Sequence, residues 1–175
     1  MPDKQPTLYV FSGLPGSGKT TLSTLLAQHI KAAYLRIDTI EQGLKDLCRF
    51  NAVGEGYQLS YRLATDNLKL GVSVIADSCN PIELTRQSWQ GIAAQAGALC
   101  HNIEVICSDK AEHRRRVEQR TCSIAGLKLP SWQQVQARDY HPWERPRLLI
   151  DTAGQTPRQS LETLLAVISQ TSGIS

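Results

Sequence analysis

No run of this 175-residue chain is apolar for long enough to cross a membrane, and Met1 to Pro6 form no apolar leader ahead of the first hydrophobic stretch. A cytoplasmic protein without membrane contact is therefore expected. The five cysteines, Cys48, Cys79, Cys100, Cys107 and Cys122, are odd in number and lie scattered through apolar or helical stretches. No C-x-x-C pair and no Cys/His cluster with zinc spacing occurs, which excludes a disulfide scaffold and a structural zinc site. Strong charge is also missing. The formal net charge is +3, much of the local excess comes from His113-Arg114-Arg115-Arg116, and no second basic stripe exists to hold a polynucleotide. There is no internal repeat, low-complexity segment or linker, so residues 1–175 are expected to form one domain.

What is present is Gly13-Leu14-Pro15-Gly16-Ser17-Gly18-Lys19-Thr20, a complete G-x-x-x-x-G-K-[ST] phosphate-binding loop. Gly16 and Gly18 allow a tight turn whose N–H groups point inward at a polyphosphate. Lys19, exposed in the loop, reaches the β- and γ-phosphates, and the Thr20 hydroxyl holds Mg²⁺. Gly13, Pro15, Gly16, Ser17, Gly18, Lys19, Thr20 and Thr21 are thus the expected binding residues for ATP. The context fits on both sides. Thr7 to Phe11 reads as a buried strand, and Leu22, Leu25, Leu26 and Ile30 recur at helical spacing, putting the N-terminal dipole of a helix at the same site.

Strands and helices alternate along the rest of the chain, which predicts a parallel sheet covered on both faces. Further strands are expected at 33–37, 73–76, 103–107 and 147–151. A helical pair should fill 39–70 with a break at 51–56. Asn80 should cap a helix that opens at Pro81, a charged helix should cover 110–121, a short one should follow Pro130-Ser131, and the last should start near Thr156-Pro157.

Asp38, Asp77 and Asp151 end strands on this reading, where open α/β sheets gather ligands. Asp38 can take the proton of an acceptor hydroxyl or, alternatively, cap the following helix. Asp77 follows a short hydrophobic strand and can support Mg²⁺ directly or through water, or serve as an Asx-turn residue. Asn80 and Arg86 follow as candidate substrate contacts, Arg86 being equally a solvated helix charge. Arg116 and Arg120, four apart, share a helix face and suit a lid over about 109–130, with Arg115 pointing elsewhere; a solvated helix with Glu112–Arg116 pairing is the alternative. Asp151-Thr152-Ala153-Gly154-Gln155 copies the D-x-x-G-Q switch of small GTPases, but no N-K-x-D or T-K-x-D reader of guanine exists anywhere in the chain, and the match is coincidental.

Taken together, the phosphate loop, Arg36-Ile37-Asp38, Asp77 with Asn80-Pro81, Arg116-Val117-Glu118-Gln119-Arg120 and Tyr140-His141-Pro142-Trp143-Glu144 with Leu148 to Asp151 make the chain resemble a group of small P-loop kinases. The group comprises polynucleotide kinase, chloramphenicol phosphotransferase, zeta toxin and gluconate kinase, and the chain is similar to its AAA-type, predicted-kinase branch. The resemblance implies a P-loop NTPase sandwich, a five-stranded sheet of order 2-3-1-4-5, ATP and Mg²⁺, Asp38 as base and Arg116 and Arg120 as lid arginines. Polynucleotide kinases carry an arginine three residues after the base, where it meets an acceptor phosphate; this chain has Glu41. The expected activity is ATP-dependent phosphorylation of a hydroxyl on a small, neutral or cationic molecule, with Asp38, Glu41, Asn80 and Arg86 on the acceptor side. The alternatives are a nucleic-acid 5′-end kinase and a nucleotide-hydrolysing switch acting on a protein partner.

Overall fold

The computed structural model describes residues 5–172; the first residues of the N-terminal segment and the tail from Gly173 lie outside them. Five strands, β1 (Thr7–Ser12), β2 (Ala33–Arg36), β3 (Val74–Asp77), β4 (Leu99–Ile106) and β5 (Leu148–Asp151), form one all-parallel sheet of order β2-β3-β1-β4-β5. Seven helices accompany them: α1 (Lys19–Ile30), α2 (Ile37–Cys48), α3 (Glu55–Lys69), α4 (Glu83–Gln95), α5 (Lys110–Gln119), α6 (Trp132–Gln136) and α7 (Pro157–Ser172).

Strand alternation divides the core between two faces. Leu8 and Val10 of β1 pack with Val74 and Ala76 of β3 against Tyr61, Leu68 and Trp89 of α3 and α4. Tyr9, Phe11 and Ile75 face the other way, onto Leu22 and Leu26 of α1 and Leu164 of α7, together with Ile103 and Val105 of β4. Because both faces are buried, β1 and β3 are continuous apolar runs that end at polar residues. Strand β1 is central, and the connections leave toward β2 on one side and β5 on the other. The loop after β1 therefore sits at the topological switch point of the sheet. A smaller cluster, Val117, Trp132 and Val135 with Leu14, docks α5 and α6 onto that loop.

Four boundaries depart from expectation, the first being that of β4, which begins at Leu99, four residues before Ile103. Helix α2 starts at Ile37 with Arg36 at its N-cap position and no side-chain cap bond from it, so Asp38 lies in the first turn of the helix rather than at a strand end or at the N-cap. Asn80 does not cap α4; the N-cap residue is Ile82, and Asn80 instead takes a left-handed turn conformation (φ 46°) that asparagine tolerates. Helix α5 ends at Gln119, and Arg120 is already extended (φ −65°, ψ 143°). Ser131, by contrast, caps α6 as expected, in a capping box with Gln134. No described helix is long and apolar enough to cross a membrane.

Candidate active site

The loop Gly13–Lys19 is shaped by what holds its carbonyls. His113 of α5 is hydrogen-bonded through Nε2 to the Pro15 carbonyl at 2.9 Å, so that nitrogen carries the proton, and the Thr152 hydroxyl donates to the Ser17 carbonyl at 2.7 Å. The Gly13 N–H donates to the Cys79 carbonyl. Gly13 approaches the Val105 carbonyl so closely that a β-carbon would collide with it, and Gly18 reaches α1 with φ 98°. With these carbonyls tied to α5 and to the loop after β5, the first-turn N–H groups of α1 are left for an anion; Gly18 offers no side-chain cap to them.

Lys19 is the first residue of α1 and is only 9% exposed, a buried cation rather than the exposed loop residue expected. It opens onto a cavity of about 650 Å³ lined by Gly16, Gly18, Thr20 and Thr21 at the loop, by Arg36, Arg116 and Arg120, and by Thr152 and Gln155 after β5. Among the described residues its lining holds four basic side chains, Lys19, Arg36, Arg116 and Arg120, and no carboxylate. Such a surface suits a polyphosphate.

Arg116 is fixed before any ligand arrives: its guanidinium donates to Glu112 at 2.6 Å, to the Thr152 hydroxyl at 2.7 Å and to the Thr152 carbonyl at 2.9 Å. Arg120 does not share its helix face, since α5 has ended, but the extended backbone still delivers it to the same cavity. Its Nε and one Nη are buried without a partner, and burial pulls its pKa down while Asp38 pushes it up. Asp38 thus lies within electrostatic reach of Arg120. It also acts on Glu41, whose carboxyl is raised by burial first and then by Asp38 and Glu55.

Asp77 ends β3 in register with Phe11 of β1 and Arg36 of β2, and is 1% exposed. The Tyr34 hydroxyl donates to its Oδ2 at 2.7 Å, whereas Oδ1 is buried without a partner. The partner is a tyrosine from β2 rather than the N–H groups of its own turn. Burial and the neighbouring carboxylate push the Tyr34 hydroxyl up to about 12, so it remains a donor. A buried carboxylate oxygen without a hydrogen bond is a donor that suits Mg²⁺, directly or through water, although Asp77 is not among the residues that line the cavity. No group of three or more His, Cys, Asp or Glu side chains forms a metal site among the described residues, and the five cysteines are free.

The other expected substrate contacts lie elsewhere. Arg86 is fully buried and is neither a solvated helix charge nor a cavity residue. It donates to the carbonyls of Asn80, Pro81, His141 and Pro142 and stacks 4.1 Å from the Trp143 ring, clamping the 140–143 strap onto the loop before α4. Asn80 is buried, with Nδ2 donating to Ser12 at 2.9 Å and Oδ1 unpartnered. Glu41 is turned into the seam between α2 and α3, where its side chain occupies the space a β-carbon on Gly56 would need. Like Asp38, Asp77, Asn80 and Arg86, it is not among the residues that line the cavity. Asp151, the acid of the D-x-x-G-Q segment, serves the turn after β5 by accepting from the Ser108 and Ala153 N–H groups; burial pushes its pKa up, but these bonds outweigh it and the net direction is down.

His113, Thr152, Arg36 and Tyr34 hold or line the site without having been read from the sequence as site residues. The bonds of His113 and Thr152 to the loop go to backbone carbonyls, which carry no sequence signature.

Residues 8–138 match the AAA domain family. An Aeropyrum pernix protein named "Probable adenylyl-sulfate kinase" is 26% identical over 176 aligned positions, covering 90% of this chain and 89% of the relative. Among solved structures, a gluconokinase from Sinorhizobium meliloti superposes with a TM-score of 0.68 at 16% identity, covering 96% of this chain and 94% of that one. An APS kinase from Mycobacterium tuberculosis, in complex with AMPPNP and APS, gives 0.64 at 18% identity, covering 94% of this chain and 98% of that one. The fold is that of the small P-loop kinases.

Proposed function

The chain belongs to the AAA domain family, and from that membership and the cationic cavity behind its phosphate loop we propose that it is an ATP- and Mg²⁺-dependent kinase that phosphorylates a hydroxyl of a small molecule. The observation that carries the reading is the cavity itself: four cations, no carboxylate, and the loop's carbonyls held away from it. ATP, when bound, supplies the phosphoryl group, and Mg²⁺ neutralises its charge.

In this reading Lys19 and the first-turn N–H groups of α1 hold the phosphates, while Thr20 and Asp77 hold the metal. Arg116, already oriented by Glu112 and Thr152, meets charge that develops in transfer without having to reorganise, and Arg120 meets it with its unpartnered nitrogens. Asp38 takes the acceptor proton. It sits in the first turn of α2, outside the cavity lining but within electrostatic reach of Arg120, which lines it. The kinases among its relatives support transfer over simple hydrolysis.

A panel of hydroxylated metabolites, aminoglycoside-like and sugar-like molecules and 5′-hydroxyl oligonucleotides, screened for acceptor-dependent ADP release, tests the proposal. A small hydroxylated molecule is expected to raise Mg²⁺-dependent ADP release well above the basal rate. Rapid, salt-sensitive phosphorylation of the oligonucleotide would instead assign a nucleic-acid end kinase.

A further inference from the structure

Arg36 is the one cavity cation to which neither the phosphate loop nor the lid assigns a task. It stands at the end of β2, the edge strand farthest from Thr152, and lines the cavity with Arg120. Its Nη1 donates to the Ser123 hydroxyl at 2.8 Å, a bond between β2 and the segment that follows α5. Its Nε is buried with no partner, as are Nε and Nη2 of Arg120. Leaving three guanidinium nitrogens buried and unpaired is costly, and in two residues that line one cavity it marks a place where an acceptor-rich group belongs. Among the described residues no carboxylate lines the cavity, and Asp38, which acts on Arg120 from outside the lining, leaves these nitrogens without a hydrogen bond. A planar guanidinium fork matches the paired oxygens of a phosphoryl, sulfuryl or carboxylate group.

We propose that Arg36 is an oxyanion-binding residue that works beside Arg120, and that Ser123 is the partner it holds at rest. The assignment rests on the kinase reading above and extends it to the part of the cavity beyond the phosphate loop. The oxyanion has two possible sources with the same chemistry: the phosphoryl group in transfer, or an anionic substituent of the acceptor. Glu41 is turned away into the α2–α3 seam, and among the described residues the cavity lining itself carries cations and no carboxylate.

Calorimetry on the full chain separates the two. In one arm, wild type and Arg36→Ala bind Mg·ADP with and without aluminium fluoride, which mimics the phosphoryl in transfer. In the other, protein saturated with Mg·AMPPNP, whose terminal phosphoryl fills the transfer position, is titrated with sulfate. We expect Arg36→Ala to keep Mg·ADP affinity within about 2-fold and to lose about 10-fold or more of the affinity in at least one arm. Loss in the first arm assigns Arg36 to the phosphoryl, and loss in the second to the acceptor. Ser123→Ala should leave both arms intact. If Arg36→Ala changes neither arm, or if Ser123→Ala reproduces its loss, Arg36 is a strut for the lid and the proposal is overturned. Arg36→Gln provides the same comparison should the alanine variant not fold. A wild-type protein that fails to bind Mg·ADP contradicts the kinase reading itself and this assignment with it, whereas normal Mg·ADP binding with unchanged arms defeats only the role of Arg36.

Discussion

The Tyr34 hydroxyl donates to Asp77 Oδ2 at 2.7 Å and leaves Oδ1, equally buried, with no partner. One oxygen is used by the fold and the other is kept for something else. If that is Mg²⁺, Tyr34 orients the carboxylate and sets how well it binds. Tyr34→Phe should weaken apparent Mg²⁺ affinity by about 10-fold, as loss of a supporting hydrogen bond behind a metal ligand typically does. Mg²⁺ titration of nucleotide binding reads this out. An unchanged half-saturation point would remove Asp77 from the metal site.

Arg86 carries a different expectation. Its guanidinium joins two loops through four backbone carbonyls and lies between Trp143 and Tyr140. Arg86→Ala leaves those carbonyls short of donors and opens a cavity, a loss of about 3–5 kcal/mol. Chemical denaturation should show it, and Arg86→Lys should recover little, because an ammonium cannot reproduce the fork. Wild-type stability in the alanine variant would refute the clamp.

Glu41 gives a pH test. Burial, with Asp38 and Glu55 near, raises its carboxyl above the ordinary 4.5, so the folded protein binds this proton more tightly than the unfolded chain. The stability that this proton contributes is complete below the unfolded value and is lost as pH rises through the raised one. Glu41→Gln, which cannot ionise, should therefore match wild type in acid and exceed it by about 1–2 °C in Tm at neutral pH. A difference that stays constant across that range contradicts the placement of Glu41 in the α2–α3 seam.

Much of this architecture was legible in the chain. The phosphate loop and its flanking strand and helix follow from local spacing, the parallel sheet follows from alternation of elements, and the strand order comes from the resemblance to small P-loop kinases. The capping box at Ser131 also follows from local spacing, a signal contained within four residues. What escaped reading depends on long-range packing. Arg86 looks like any helix-surface arginine until the 140–143 strap, more than fifty residues on, supplies carbonyls to it. Arg116 and Arg120 are spaced for one helix face, but α5 stops one residue short and extended backbone brings Arg120 to the same cavity by another route. Asp38 reads as a strand end or a cap because Arg36-Ile37-Asp38 continues an apolar strand pattern; the helix takes over at Ile37 instead. His113 and Thr152 grip carbonyls of the loop, and no residue pattern announces a backbone partner.

Lys19 should behave unusually when removed. It is buried, no ion pair is seen for it among the described residues, and it shares its cavity with three arginines. Relieving that repulsion makes Lys19→Ala neutral or stabilising while it abolishes nucleotide-dependent turnover, the trade expected of a site selected for binding rather than for stability. Thermal denaturation without nucleotide, alongside ADP release, gives both readings. A large drop in Tm would mean that Lys19 supports the fold.

The central claim, phosphoryl transfer to a hydroxyl with Asp38 as its base, is tested most directly by Asp38→Asn. With an acceptor from the panel in hand, the acceptor-dependent rate and the affinity for Mg·ATP are measured side by side in wild type and variant. The account predicts an unchanged affinity and a rate lower by about 10²–10⁴-fold, the usual contribution of a positioned base. Equal acceptor-dependent rates in the two proteins would contradict it.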